Sequence, residues 1–374
     1  MDHVTSRPPA SKAAPDDRYA WTEPGVESLG DGLYRIPLPL PGDALKAVNV
    51  YAIAGEDGVD LIDAGMALAQ ARERLTEALG QIGYGLGDIR NFFITHIHQD
   101  HYTLAVELRT TLRGKISLGE GERINMQAIR DVAAGRSEIG FIEMLYGMGA
   151  AELAEQVRSF MAPRLANPQP RLQWSDPDGW LADGAMLDLR SRTLRAIHTP
   201  GHTRGHVVFH DEAAGMLFAG DHVLPRITPS VGFEAVMGEL PLGDYLRSLR
   251  LMLDLPDMRL LPAHGPVTDT THARVHALLA HHEDRLNACL DRVQAGAHTA
   301  YEVALALPWT RRARRFSELD PFNQMLATLE IGVHLDLLVA QGRLTRTAAG
   351  ELMIYALPGP AADGGSALPG PSAD

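Results

Sequence analysis

The stretch Thr95-His96-Ile97-His98-Gln99-Asp100-His101 constrains this chain more than any other, because it sets four metal-type side chains directly behind the strand-like run Asn91-Phe92-Phe93-Ile94. Imidazole and carboxylate groups are poor strand and core formers. Crowding them together costs desolvation and charge repulsion unless a cation offsets it. In an extended segment the alternating His96 and His98 point the same way. Asp100 and His101 follow where the chain would bend into a helix, so they can face a second ion beside the first.

Three later segments have the same form, an apolar run ending in a loop that presents one ligand. Leu194-Arg195-Ala196-Ile197 leads to Thr199-Pro200-Gly201-His202, Leu217-Phe218-Ala219-Gly220 leads to Asp221, and Leu260-Leu261-Pro262-Ala263 leads to His264. Strand ends are where a rigid scaffold places chemistry. One such histidine is weak, since a lone imidazole in a turn is more often solvated; the set is strong.

With these residues in place the chain resembles the metallo-β-lactamase-fold hydrolases, over roughly residues 28 to 270. The matching residues are Asp63 in Leu61-Ile62-Asp63-Ala64-Gly65, the cluster His96, His98, Asp100 and His101, then His202, Asp221 and His264, all in the family's order. The resemblance implies an α/β fold, a four-layer αβ/βα sandwich with metals held at one edge by loops. It further implies that His96, His98 and His202 hold one metal, Asp100, His101 and His264 the other, and Asp221 bridges both. An all-nitrogen and oxygen donor set suits two divalent ions, zinc first, with manganese or iron as alternatives.

Departures narrow the resemblance. Position 98 is His where the flavodiiron branch carries Glu, and no flavodoxin-like region follows, which speaks against an oxygen reductase. The single cysteine, Cys289, lies outside every motif, against the β-lactamase subclasses with a cysteine ligand. The remaining two-zinc β-lactamase subclass lacks the bridging carboxylate that Asp221 supplies. The pattern looks most like the glyoxalase II, lactonase and β-lactamase-like protein 2 branches.

A chain of 374 residues can bury a large core and is expected to hold one large domain plus a smaller one. Its formal net charge of −13 works against non-specific contact with nucleic acid or an anionic membrane. No apolar run approaches the ~20 residues that cross a bilayer. No signal-like segment opens the chain, and a lone cysteine excludes an intramolecular disulfide, so a cytoplasmic protein is expected. Self-association as a homodimer stays open.

Residues 1–20 and 356–374, rich in Pro, Ala, Gly and Ser, are expected to be disordered. Between them, residues 21–270 form the expected catalytic domain and 271–355 a C-terminal helical, winged-helix-like domain. Leu33 to Pro37, Ala47 to Ala54 and Val59 to Ile62 read as strands, and Ala67 to Gly80 as an amphipathic helix. The appended region reads as a helix over Ala273 to Ala295, a second over Phe322 to Gln341, and a hairpin from Leu344 to Tyr355. That order resembles the small domain appended to the β-lactamase-like protein 2 group.

A helical insertion over about residues 122–165 carries Met126, Met144, Met148 and Met161. It reads either as ordinary packing or as an adaptable lid over the metal edge, because thioethers tolerate varied ligand shapes. Met144, Met148 and Tyr102 are its candidate substrate-pocket residues, while packing is the competing use of Tyr102 and of Tyr51. The run Arg311-Arg312-Ala313-Arg314-Arg315 invites nucleic acid, but one basic cluster on an acidic chain is more often a solvated face. His198, His206, His210, His222, His272, His276, His281 and His282 are taken as turn or surface residues.

Two metals about 3.5–4 Å apart share a water and lower its pKa towards neutrality. The expected reaction is attack of that bridging hydroxide on a thioester, lactone or related activated carbonyl, with Asp100 as the catalytic residue that orients it and carries a proton to the leaving group. Asp63 is expected to fix the tautomer of a ligating histidine. A small-molecule substrate with an apolar or acyl group fits the methionine-rich segment. The alternatives are a metal-dependent phosphodiesterase or ribonuclease, and a non-catalytic sensing protein that retains the metal site.

Overall fold

The run Ala47–Gly55 buries a different layer with each successive residue: Val48, Val50 and Ala52 face one apolar cluster, Tyr51 and Ile53 the opposite one. Successive side chains of a strand point to opposite faces, so a strand apolar on both faces must lie between two covered layers. Phe92 and Ile94 against Phe93, and Leu217 and Ala219 against Phe218, divide in the same way. The result is a sandwich of two mixed sheets with helices outside each.

The computed structural model describes residues 17–42, 44–134, 136, 140–166, 174–189, 191–310 and 312–359. The first sheet takes its strands in chain order: β1 (Glu27–Gly30), β2 (Leu33–Pro39), β3 (Ala47–Gly55), β4 (Gly58–Ile62), β5 (Ile89–Ile94), β6 (Lys115–Gly119) and β7 (Gly179–Leu181). Its first four strands are antiparallel neighbours, and β4 to β7 run parallel. The second sheet holds β8 (Met186–Asp188), β9 (Thr193–His198), β10 (Val207–Asp211), β11 (Met216–Gly220) and β12 (Arg259–Pro262), with β11 and β12 parallel. Helices α1 (Ala69–Gln81) and α2 (Gln99–Arg109) cover the outer face of the first sheet.

The methionine-rich insertion is three helices, α3 (Arg123–Ala133), α4 (Gly140–Gly147) and α5 (Ala151–Ala166). Helix α6 (Pro241–Asp254) packs on the second sheet, followed by α7 (His272–Gln294), α8 (Ala300–Ala306), α9 (Pro321–Ala340) and the hairpin β13 (Thr345–Ala349) and β14 (Leu352–Ala356). Among the described residues, the C-terminal helices do not enclose a separate core. Their buried residues share one apolar cluster with α4, α5, α6 and the outer face of the second sheet. Among the described residues, no helix is long and apolar enough to cross a membrane.

Residues 1–16 and 360–374 of the two expected disordered ends, and Arg311 of the basic run, lie outside the described residues. Residues 17–20 depart from that expectation as the start of a short 3-10 helix, Asp17–Thr22, whose Trp21 carbonyl accepts from Arg35 at 2.7 Å.

Candidate metal centre

Every donor sits just past the C-terminal end of a strand, the edge where parallel α/β sheets present loops for ligands. Asp63 follows β4, His96 to His101 follow β5, His202 follows β9, Asp221 follows β11 and His264 follows β12. The two sheets are laced together there: Val207 N–H donates to Thr95 O at 2.8 Å and Asn49 N–H to Ala263 O at 2.7 Å, while Ala263 N–H donates to Gly220 O at 3.0 Å within the second sheet. Gly220 is required by close approach. Its φ is +50°, and a Cβ would stand 2.7 Å from both His206 Nε2 and Thr95 Cβ.

The donors converge in two groups: His96, His98, His202 and Asp221 offer atoms within 4.8 Å of one another, and so do Asp100, His101 and His264. Nδ1 of His98 lies 2.9 Å from Nε2 of His96 and 3.0 Å from Nε2 of His202. Asp221 reaches both groups, with Oδ2 3.4 Å from His202 Nε2 and Oδ1 3.4 Å from His264 Nε2. Oδ2 of Asp100 lies 3.3 Å from His264 Nε2 and 3.6 Å from His101 Nε2.

The backs of the rings fix which nitrogen faces inward. Nδ1 of His202 donates to Ser230 O at 2.7 Å, and Nδ1 of His264 to Ala47 O at 2.8 Å. Nδ1 of His101 meets Asp63 Oδ2 at 2.9 Å, and Nδ1 of His96 meets Thr95 Oγ1 at 3.1 Å. Thr95 in turn donates its hydroxyl to Asp63, which also accepts Thr95 N–H at 2.8 Å. Each of these histidines therefore turns Nε2 into the cluster, the tautomer a metal ligand needs. Asp63 holds a left-handed φ of 58°, a strained conformation for a residue with a side chain.

The donor set fits divalent cations on the structure's own terms. His101 Nε2, His264 Nε2 and Asp221 Oδ1 are buried with no hydrogen-bond partner, a costly state that a cation relieves. Burial works against a charge on His101, yet the Asp100, Asp63 and Asp221 carboxylates outweigh it and hold the imidazole up to about 10. Burial and the neighbouring His202 push His98 down to about 3. Burial works against the Asp100 carboxylate too, but His101 and His264 hold it well below the usual carboxylate range.

Several expectations need correction. Tyr102 is no pocket residue: its ring is buried against Trp174 and its hydroxyl donates to Ser175 O at 2.7 Å. Tyr51 likewise donates to Pro262 O at 2.8 Å, bracing the His264 loop. Met148 is packed rather than poised over the metals, because its methyl group fills the space that a Cβ on Gly332 of α9 would need. Met144, like Phe141, is half-buried beside the same cluster. Among the histidines taken as turn or surface residues, His206, His210, His222 and His282 are buried. His206 stacks on His96 at 5.1 Å between ring centres, and its Nε2 accepts the Asp221 N–H at 3.1 Å.

Glu122 escaped the sequence reading. It is fully buried between two ligand loops, accepting the Thr203 hydroxyl and, at 3.4 Å, Ile97 N–H, while Asn125 Nδ2 donates to its other oxygen at 3.0 Å. The same amide reaches Glu234 Oε2 at 2.7 Å, and Arg204 N–H donates to that oxygen at 2.9 Å. A weaker signal was present: Glu122 comes three residues after β6 ends at Gly119, whereas Asp63 and Asp221 directly follow their strands.

With this geometry in place, comparison with known proteins agrees. The sequence pattern of the Metallo-beta-lactamase superfamily matches residues 44–264, and the chain belongs to that family. It is 25% identical over 332 residues to the "Probable metallo-hydrolase YqjP" of Bacillus subtilis, covering 86% of this chain and 96% of that one. A crystal structure of a metallo-beta-lactamase family protein from Thermus thermophilus is similar with a TM-score of 0.66 and 28% identity, over 88% of this chain and 100% of that one. A beta-lactamase domain protein from Burkholderia ambifaria shares the fold, with a TM-score of 0.68 and 23% identity over 91% of this chain and 98% of that one. The protein is a member of a metallo-hydrolase superfamily carrying a His/Asp metal-binding cluster.

Proposed function

We propose that this protein hydrolyses an activated carbonyl, a thioester or a lactone, at a pair of divalent metal ions, zinc first and manganese or iron as alternatives. The observation that carries this reading is the division of Asp221, one oxygen facing His202 and the other His264. His96, His98 and His202 would hold one ion, and Asp100, His101 and His264 the other, with Asp221 shared. Bound there, the metals supply a water acidified towards neutrality and a Lewis acid for the carbonyl oxygen.

The protein's own residues do the rest. Asp63 and the Ser230 and Ala47 carbonyls keep His101, His202 and His264 aimed inward. Asp100 stands at the first turn of α2 with its side chain 19% exposed, against 9% for Asp221 and 2% for His264. It is the most exposed of the three and within reach of the donors, which supports a role in orienting the attacking water and passing its proton to the departing thiolate or alkoxide. The test is a substrate panel on metal-replete protein: thioesters and lactones against aryl phosphodiesters. Turnover of the carbonyl panel supports the reading. Turnover confined to phosphodiesters would replace it with the phosphodiesterase reading.

A further inference from the structure

We infer that Phe233, Phe141 and Phe322 form the acyl-binding wall of the metal site, selecting substrates whose carbonyl carries an extended apolar group. The inference rests on the carbonyl-hydrolase reading above and adds the residues that choose the acyl group.

Phe233 lies on the loop between β11 and α6, twelve residues beyond Asp221. Its ring centre is 6.2 Å from that of His98. It also meets Phe141 of α4 at 5.5 Å and Phe322 of α9 at 5.6 Å. Three segments distant in sequence thus deliver one aromatic group each to a single patch that begins at a metal donor. All three rings are half-buried, so each keeps some apolar surface beyond its packing, and that surface is what an acyl chain would cover.

The loop is held so that Phe233 cannot drift. Ser230 O accepts from the donor His202, fixing one side. Gly232, at a φ of +94°, lies so close to α9 that a Cβ would come within 2.9 Å of Val333 Cγ1. Glu234 is tied to Arg204 N–H and to Asn125. Such fixing on both sides is what a specificity residue needs, since a loose ring cannot distinguish chain lengths.

Polarity assigns the wall to the acyl side. Asp100, placed to protonate the leaving group, belongs with His101 and His264, whereas Phe233 abuts His98 in the other donor group. The two substituents of the carbonyl carbon must lie apart, so the leaving group takes the Asp100 side and the acyl group the aromatic one.

The test uses the full-length, metal-loaded protein with acetyl, hexanoyl and decanoyl thioesters of one thiol, and separately decanoate binding by calorimetry. Wild type should prefer decanoyl. Phe233→Ala should lower kcat/KM for decanoyl about tenfold, leave acetyl within about twofold, and keep metal content unchanged, with Phe233→Leu recovering part of the loss. Phe322→Ala, on a different element, should act in the same direction if Phe233→Ala does not fold. An equal loss for all three thioesters, or a loss that follows the thiol instead of the acyl group, would overturn the wall. Decanoate binding separates the two readings. Binding weakened by Phe233→Ala without any thioester turnover keeps the wall and removes the reaction, while turnover indifferent to chain length keeps the reaction and removes the wall.

Discussion

Nδ1 of His101 lies 2.9 Å from Oδ2 of Asp63, a contact that ties the donor cluster to the end of β4 in the first sheet. Asp63 touches the cluster only through His101 and Thr95, whereas Asp221 presents both oxygens to donor nitrogens. Asp221→Ala should therefore remove at least one metal and nearly all activity. Asp63→Ala should cost about 10–100-fold in affinity or activity, as the loss of a residue that orients a ligand does. Metal content and turnover of both folded variants check this. Equal effects would mean their roles are exchanged.

Metal removal should destabilise the fold as well as silence it. The buried Nε2 atoms of His101 and His264 and Oδ1 of Asp221 make no hydrogen bond within the protein, and a metal would satisfy them. Metal at about 100 times its Kd would add about 3 kcal/mol. Calorimetric scans of chelated and reloaded protein should show a clear rise in Tm on loading. Superimposed scans would count against metal binding at these atoms.

A charge at position 148 should act on stability, not on substrate choice. The Met148 methyl fills the space beside Gly332, so Met148→Glu would bury a carboxylate there and cost about 3 kcal/mol. Denaturant midpoints and kinetics on the remaining folded protein distinguish the cases. A changed chain-length preference with unchanged stability would restore the lid reading.

Glu234 gives the protein a pH-dependent component of stability near neutrality. Burial pushes its carboxyl up to about 7, against the bonds from Asn125 and Arg204. An acid whose folded pKa is raised binds its proton more tightly when folded, so stability is lost as pH rises from the ordinary value of 4.5 through about 7. Glu234→Gln should match wild type at the acid end and exceed it by about 2 kcal/mol at the alkaline end, with the half-exposed position limiting the gain. Urea midpoints across that range provide the check; a difference that does not vary with pH would contradict it.

The donors were legible because His96, His98, Asp100, His101, His202, Asp221 and His264 break the chemistry of the runs they follow. A strand that ends in an imidazole or carboxylate announces itself without knowledge of its neighbours. His206 could not be read this way. Its Thr-Arg-Gly-His setting looks like an exposed turn, and its burial arises only when the Thr199 hydroxyl and the Gly220 backbone close around its ring. Tyr102 failed for the opposite reason, since a phenol beside a donor in sequence points away from it on a helix that buries its outer side. Phe141, Phe233 and Phe322 share no local pattern at all. Their proximity is a property of the shared cluster that joins the insertion to the C-terminal helices, which periodicity within one segment does not contain.

The central claim is that two cations act together, joined through Asp221. The direct measurement is a titration of chelated protein with zinc, manganese or iron, following bound metal by elemental analysis and hydrolysis of a decanoyl thioester in the same samples. The account predicts about two ions bound per chain, with turnover rising to its full value only as the second is filled. Saturation at one ion per chain, with full turnover at that point, would contradict it.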